Sequence, residues 1–451
     1  MDEKNSFLKF LSEEDLEKID LATLDILENK GVLFTRKEAL SIFKREGLPI
    51  EEEGVVKFPP ELVKEAISCV PKNFVRRGFK SEYDVKMGEG KCYFGGGSLP
   101  LYVVDSDTYQ RREALKKDMV NFTRLVDRLP NFSFGNGVVK PSDVPDSVIH
   151  AIWIQNIIEN TSKPSCCWYA TSVQMAQDTI EILSAASGGL DELKKRKTWA
   201  ITACPVSGLK WGDSVIGLIE MAKVGIPVEI MDTPFPGSMS PVTLAGTLVL
   251  SNATILSGVV LSQIINPGTP VVYALYGGIM DMRTGTHAFA TPETALYSAA
   301  AVQLCQQYGI PTNMTAPTSD SKVPDAQAAY EKMMVALVPA LAGADSLTLL
   351  GGVLDFGLSA SYEQMVIDNE IAGQILRILK NFEVNEETLA VGTIKERDYG
   401  GYYLDSEHTL KYFKDTLWVP FLSDRQIREV WEAKGSKDIL KRAKEKVKEI
   451  L

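Results

Sequence analysis

The stretch Asn266-Pro267-Gly268-Thr269-Pro270-Val271-Val272-Tyr273-Ala274-Leu275-Tyr276 decides the fold. Glycine just past a helix end adopts the left-handed conformation without steric cost. Proline then cannot extend the helix but can open a strand. The run that follows is short, β-branched and aromatic, and it does not alternate cleanly with polar residues. That is the pattern of a parallel strand buried on both faces. Two other joints read alike, Val224-Gly225-Ile226-Pro227 and Tyr308-Gly309-Ile310-Pro311. Outward from these, short apolar runs open at Phe132, Pro164, Thr198, Pro227, Pro270, Pro311, Ser346 and Thr388, roughly every 30 to 45 residues, each followed by a helical pattern. Eight strand-helix units close a parallel barrel, so the expected fold is α/β, a (β/α)8 TIM barrel over 131–397. An open doubly wound sheet uses the same alternation and is the competing reading. In a barrel the chemistry sits at the C-terminal strand ends.

The rest of the chain's 451 residues form extensions. Residues 1–130 read as a helical region with helices near Glu13–Glu28 (Ser12 as cap) and Pro60–Ser68, and a β-hairpin near 92–104 containing Gly95-Gly96-Gly97. Residues 398–451 read as a charged helical extension packed on the barrel. A net charge of −11 argues against a nucleic-acid partner. The first ten residues have no apolar stretch long enough for a signal peptide, and the six cysteines do not make a disulfide scaffold, so a cytoplasmic chain with reduced thiols is expected. Leu244–Ile265 is apolar enough to raise the question of a membrane span. Its serines, asparagine and place in the repeat favour a buried barrel helix.

Only three histidines are present, His150, His287 and His408, in separate regions. Clustered-imidazole metal chemistry is therefore not expected. No GxGxxG follows a strand, and no GxxxxGK[ST] or GxSxG occurs. At the strand ends, aromatic residues recur: Trp168, Tyr169, Tyr276, Phe289 and Phe356, with Phe94 folding over from the hairpin. Acids and bases are sparse, chiefly Asp232, Asp320, Asp355 and His287; Cys204 before Pro205 is the thiol to watch. Ring faces and a few carboxylates suit a permanent organic cation. The plain alternative is that the rings are barrel core. A lysine-dependent lyase would need a strand-end lysine, and Lys395 on the eighth unit is the one placed for it.

Several segments resemble the trimethylamine methyltransferase superfamily, in particular its pyrrolysine-free members. They are Ala22–Val32, Tyr276-Gly277-Gly278 with Asp281-Met282-Arg283-Thr284-Gly285, Asp320–Lys332, and Glu407-His408-Thr409-Leu410 with Trp418-Val419-Pro420. Asp320–Lys332 is the most specific. The resemblance implies a barrel with helical extensions. It also implies methyl transfer from a methylated amine to the Co(I) of cobalamin on a separate, cognate corrinoid protein. With only standard residues in the sequence, a quaternary amine of the glycine betaine, proline betaine, carnitine or γ-butyrobetaine class is the expected donor. Phe94, Trp168, Tyr169, Tyr276 and Phe356 would cage the ammonium with Asp232 as a nearby charge. Arg283 and His287 would hold a substrate carboxylate. Gly277, Gly278 and Asp320 would lie where the corrinoid approaches, and no catalytic residue is assigned. No corrinoid is expected to reside on this chain, since none of its histidines has a DxHxxG context. A homo-oligomer is left open. A betaine-binding sensor on the same barrel is the non-enzymatic alternative.

Overall fold

A computed structural model describes residues 8–97, 99–167, 170–314, 318–348 and 351–451. Its centre is one parallel sheet of eight strands: β1 (Tyr93–Gly95), β2 (Phe132–Phe134), β3 (Ser165–Cys167), β4 (Trp199–Ala203), β5 (Val228–Asp232), β6 (Val271–Leu275), β7 (Thr312–Met314) and β8 (Ser346–Leu347). The pairing order is β2-β1-β8-β7-β6-β5-β4-β3. The remaining seam, β2 to β3, is bridged where the Gly135 amide donates to the Pro164 carbonyl at 2.9 Å. The sheet is thus a nearly closed (β/α)8 barrel. Each strand is followed by a helix: α1 (Lys116–Arg128), α2 (Ile149–Asn160), α3 (Val173–Ser187), α4 (Val215–Val224), α5 (Leu244–Ile265), α6 (Pro292–Tyr308), α7 (Ala326–Leu341) and α8 (Tyr362–Leu379). Gly225 and Gly309 end α4 and α6 at φ 76° and 69°, the left-handed caps that the Gly-Ile-Pro joints require.

Seven strands begin within a residue of the expected positions. The eighth does not. Around Thr388 the chain forms turns and the short helix Val391–Lys395, so Lys395 is not at a strand end. The missing strand is Tyr93–Gly95, expected as half of a hairpin. It pairs in parallel with β8 and β2, whereas Tyr102–Val104 pairs with Arg111–Glu113 and Ser359–Ala360. Three residues carry too little periodicity to announce their partners, and pairing is then set by tertiary neighbours.

Successive strand residues point to opposite faces. Val228 and Ile230 on β5 and Val271, Tyr273 and Leu275 on β6 pack outward into the helix–sheet core. Inward-facing Phe134 and Val272 meet Phe74, Val85 and Met87 from an antiparallel hairpin (Phe74–Arg76 with Val85–Met87) that plugs the lower, N-terminal end of the barrel. The helices Glu13–Asp25, Lys37–Arg45 and Pro60–Cys69 pack against α5, which covers it on a further side. Ser12 caps the first of them, accepting from the Asp15 amide at 3.2 Å. Among the described helices, α5 alone is long and apolar enough to cross a membrane, and 78% of its most apolar window is buried inside the protein. The C-terminal helix α9 (Ile439–Ile450) lies on α8 and α1.

Candidate active site at the barrel mouth

Beyond β6 the chain turns through Gly277-Gly278 into a second hairpin, Ile279–Asp281 with Thr286–Ala288. A Cβ on Gly277 would sit 2.1 Å from the Pro234 carbonyl oxygen, and one on Gly278 2.0 Å from that of Ala288. Glycine is needed because backbone presses on backbone here. The close approach gathers rings from two loops. Tyr276 stacks on Phe289 with centroids 5.1 Å apart, Phe289 meets Phe235 edge-on at 5.2 Å, and Phe235 stacks on His287 at 3.9 Å. A Cβ on Gly357 would lie 2.9 Å from the Tyr276 hydroxyl, so the loop after β8 closes on the same wall.

A set of buried polar contacts holds this rim. The Asp320 carboxylate accepts from the Phe289 and Ala290 amides at 2.9 and 3.1 Å, joining the β7 loop to the end of the hairpin. Burial outweighs those two amides and keeps its carboxyl above the ordinary carboxylate value. Glu331 accepts from the Ser319 hydroxyl and the Asp320 amide. Its neighbour Lys332 forms a fully buried ion pair with Asp368 at 2.8 Å, and Asp368 also accepts from the Gly352 amide at 2.7 Å. Beyond Gly352, Asp355 and Phe356 both take left-handed backbone conformations, at φ 54° and 56°. Such strain costs about 1–3 kcal/mol per residue and persists only where surroundings impose it. Here the Asp355 amide donates to the Ser321 carbonyl at 2.8 Å, and Arg111 pairs with the Asp355 carboxylate at 3.1 Å.

The expected site residues divide. Tyr276, His287 and Phe289 share the wall. Phe356 is at the rim, but the Lys322 ammonium already lies 4.0 Å over its ring. Arg283 is at the hairpin tip, 89% exposed and paired with Asp281 at 3.1 Å. Phe94 and Asp232 share the outward faces of their strands: Phe94 is in the helix–sheet core and Asp232, in phase with Val228 and Ile230, is fully buried. Burial raises the Asp232 carboxyl to about 6; the Ser251 hydroxyl moderates this without completing a hydrogen bond of good geometry. Trp168 and Tyr169 lie outside the described residues. The Cys204 thiol is pushed up by burial, which disfavours the reactive thiolate.

Sequence reasoning missed the polar interior beneath the mouth. Glu229 points into the barrel and accepts from the Asn313 amide group at 3.0 Å; Asn313 also donates to Thr348 at 2.9 Å. Arg76, rising from the lower plug, donates to the Ser165 carbonyl, and its guanidinium lies 5.0 Å over the Phe134 ring. Burial raises the Glu229 carboxyl against the lowering influence of Asn313 and Arg76. The available signal was an acid in mid-strand, Val228-Glu229-Ile230, because such a group must find polar company inside.

Comparison with known proteins agrees with this architecture. The family model described as trimethylamine methyltransferase matches residues 1–451. The glycine betaine methyltransferase of Desulfitobacterium hafniense (strain Y51) is 33% identical over 447 residues, covering 98% of this chain and 92% of the relative. The trimethylamine methyltransferase MttB of Methanosarcina thermophila is 34% identical over 459 residues, covering 98% and 93%. MttB of Desulfitobacterium hafniense (strain DSM 10664 / DCB-2) is 34% identical over 442 residues, covering 98% and 88%. With its whole length matched and its barrel in place, this chain is a methyltransferase and belongs to the trimethylamine methyltransferase family.

Proposed function

We propose that the chain takes a methyl group from a quaternary amine of the betaine class and delivers it to a corrinoid presented by a partner protein. The observation that carries this is the ring wall Tyr276–Phe289–Phe235 at the mouth. A quaternary ammonium donates no N–H hydrogen bond. Ring faces attract it, by about 0.5–2 kcal/mol each. Met231 lies on the same inward face as Glu229, one step nearer the mouth, so Glu229 lies beneath the ring wall and is not part of it. Lys322 and His287 are better placed than Arg283 to meet a substrate carboxylate, because Arg283 is exposed and engaged with Asp281.

The rim also fits a corrinoid. Exposed apolar side chains stand in the loops after β4, β5, β6 and β8, namely Val206, Met239, Val242, Met282 and Leu358, and suit the face of a flat macrocycle. When presented there, the corrinoid supplies Co(I), a strong nucleophile toward a methyl carbon. The carbon–nitrogen bond breaks and its electron pair stays on the departing tertiary amine, so no proton need move. The chain's own residues orient the methyl group and exclude water. On this reading Gly277, Gly278 and Asp320 shape the approach surface by holding backbone in place. The free thiols suit a cytoplasmic setting.

The test is incubation with Co(I) cobalamin and a panel of glycine betaine, proline betaine, carnitine, γ-butyrobetaine and trimethylamine, read by the visible spectrum of methylated cobalamin. A quaternary amine should serve, and Tyr276→Ala should lower kcat/KM roughly 5- to 30-fold, the equivalent of one desolvated cation–π contact. Turnover of trimethylamine alone, or an unaltered Tyr276→Ala, would overturn the proposal.

A further inference from the structure

Lys322 stands apart from the other cations of the rim. Arg111 is paired with Asp355 at 3.1 Å, Arg283 with Asp281 at 3.1 Å and Lys332 with Asp368 at 2.8 Å. Lys322 makes no ion pair among the described residues, in a chain where Asp and Glu outnumber Lys and Arg by 59 to 48. The nearby Asp320 carboxylate is engaged by the Phe289 and Ala290 amides. The Lys322 ammonium instead donates to the Asp320 carbonyl at 2.7 Å and lies 4.0 Å over the Phe356 ring. That ring is fixed from below. Phe356 keeps a left-handed φ of 56°, its amide donates to the Ser319 carbonyl at 3.3 Å, and Gly357 beside it closes on the Tyr276 hydroxyl. A lysine stem lying over an apolar ring is common at a surface. Here a carbonyl also sets the ammonium on the ring, and the backbone under the ring is strained to present it.

We propose that Lys322 determines which cations the mouth accepts: its ammonium holds the Phe356 face and yields it only to a donor whose carboxylate it can then bind. The inference rests on the betaine reading above and adds a selection rule to it. A simple organic cation that takes the ring face must evict Lys322. Two like charges then share a rim whose carboxylates are already engaged, Asp355 by Arg111 and Asp320 by two amides. A zwitterion brings the missing partner with it. Its ammonium takes the ring face, and the lysine, on a flexible four-carbon stem rooted in the β7 loop, swings to its carboxylate. The donor nitrogen is tetrahedral, so one methyl group faces the opening while the carboxylate arm lies along the rim. Lys322 thus acts as a stand-in for the substrate cation, and donor binding is an exchange of one cation for another on the same ring.

Calorimetric titration of the full chain with glycine betaine and with tetramethylammonium, which keeps the cation and lacks the carboxylate, tests this. In Lys322→Met, tetramethylammonium should bind about 3- to 10-fold tighter, the equivalent of one ring face set free. Glycine betaine should bind about 5-fold or more weaker, because a charge-assisted contact is lost. A lysine with a merely structural role would move both ligands in the same direction. Lys322 is exposed, so an unchanged far-ultraviolet spectrum checks that the variant still folds. In a Phe356→Leu background, removing Lys322 should bring tetramethylammonium no gain. Parallel or absent shifts in Lys322→Met, or an equal gain without the Phe356 ring, would overturn the proposal. The tetramethylammonium titrations need no turnover. Failure of every donor in the cobalamin assay, which would sink the betaine reading, is therefore distinguishable from failure here.

Discussion

Lys332→Met separates the energetics of the buried pair from its role at the rim. Both partners are wholly inaccessible, and their contact is 2.8 Å. Burial pushes the Lys332 ammonium down and the Asp368 carboxyl up, in each case by more than their mutual attraction restores. The pair therefore adds little net stability, but breaking it leaves a buried carboxylate uncompensated, at a cost of about 3–5 kcal/mol. Unfolding entropy of ~2.1 cal/mol/K per residue gives roughly 1 kcal/mol/K for a chain of this size, so Tm should fall by about 3–5 °C if unfolding is cooperative. The sign with pH follows from Asp368. A carboxyl raised in the folded state penalises folding above its folded pKa, and the penalty fades as pH falls toward the ordinary carboxylate value. Loss of Lys332 raises it further, so the variant should be most destabilised at neutral pH and least in the acid range. Lys332→Met/Asp368→Asn, which keeps an acceptor for the Gly352 amide, should recover at least half of the loss. Calorimetry from pH 5 to 8 measures all three. A single-variant shift below 1 °C, or one independent of pH, would refute the reasoning.

Two further outcomes follow from the rim. Asp320→Ala orphans the Phe289 and Ala290 amides, each worth about 1.5–3 kcal/mol as a partner of a charged group, and should lower kcat more than it raises KM; steady-state kinetics with a betaine donor would show the opposite split if the residue only bound substrate. Arg283→Ala should change kcat/KM less than about twofold for every donor, since exposed ion pairs contribute little and the guanidinium is turned to Asp281; a selective loss for carboxylated donors would return Arg283 to the site.

What could be read beforehand, and what could not, has a physical cause in each case. The seven strands found from sequence are announced by Gly-Pro joints or by apolar runs, both local signals. Tyr93–Gly95 has neither length nor joint, and its membership in the barrel is a property of Leu347 and Phe132 beside it. Thr388-Leu389-Ala390-Val391 carries the β-branched, apolar composition of a strand, but its larger side chains stay about half exposed, Leu389 at 54% and Val391 at 49%, and it folds as turns and a short helix. For the site, composition revealed the rings of Tyr276 and Phe289. It did not reveal which face of a strand is inward. In a parallel strand both faces are apolar, so Asp232 and Glu229 are equally plausible from the sequence, and only the closed barrel distinguishes the outward phase from the inward one.

The stretch that most specifically carries the family resemblance now has a mechanical meaning. Within Asp320–Lys332, Asp320 holds the amides that follow the β6 hairpin, and Glu331 holds the β7 loop. Lys332 reaches through Asp368 to Gly352 in the loop after β8. Asp325 caps the helix from which the last two project, accepting from the Ala328 amide at 2.9 Å. One helix start thus ties three successive rim loops to each other. The displacement at a methyl carbon proposed above asks a protein for alignment more than for proton transfer, and misplacement by 1 Å can cost about 100-fold in rate. A mouth with sparse acids and bases but densely braced loops meets that demand. Its buried carboxylates and lysine do their work on backbone geometry and act as struts in the fold.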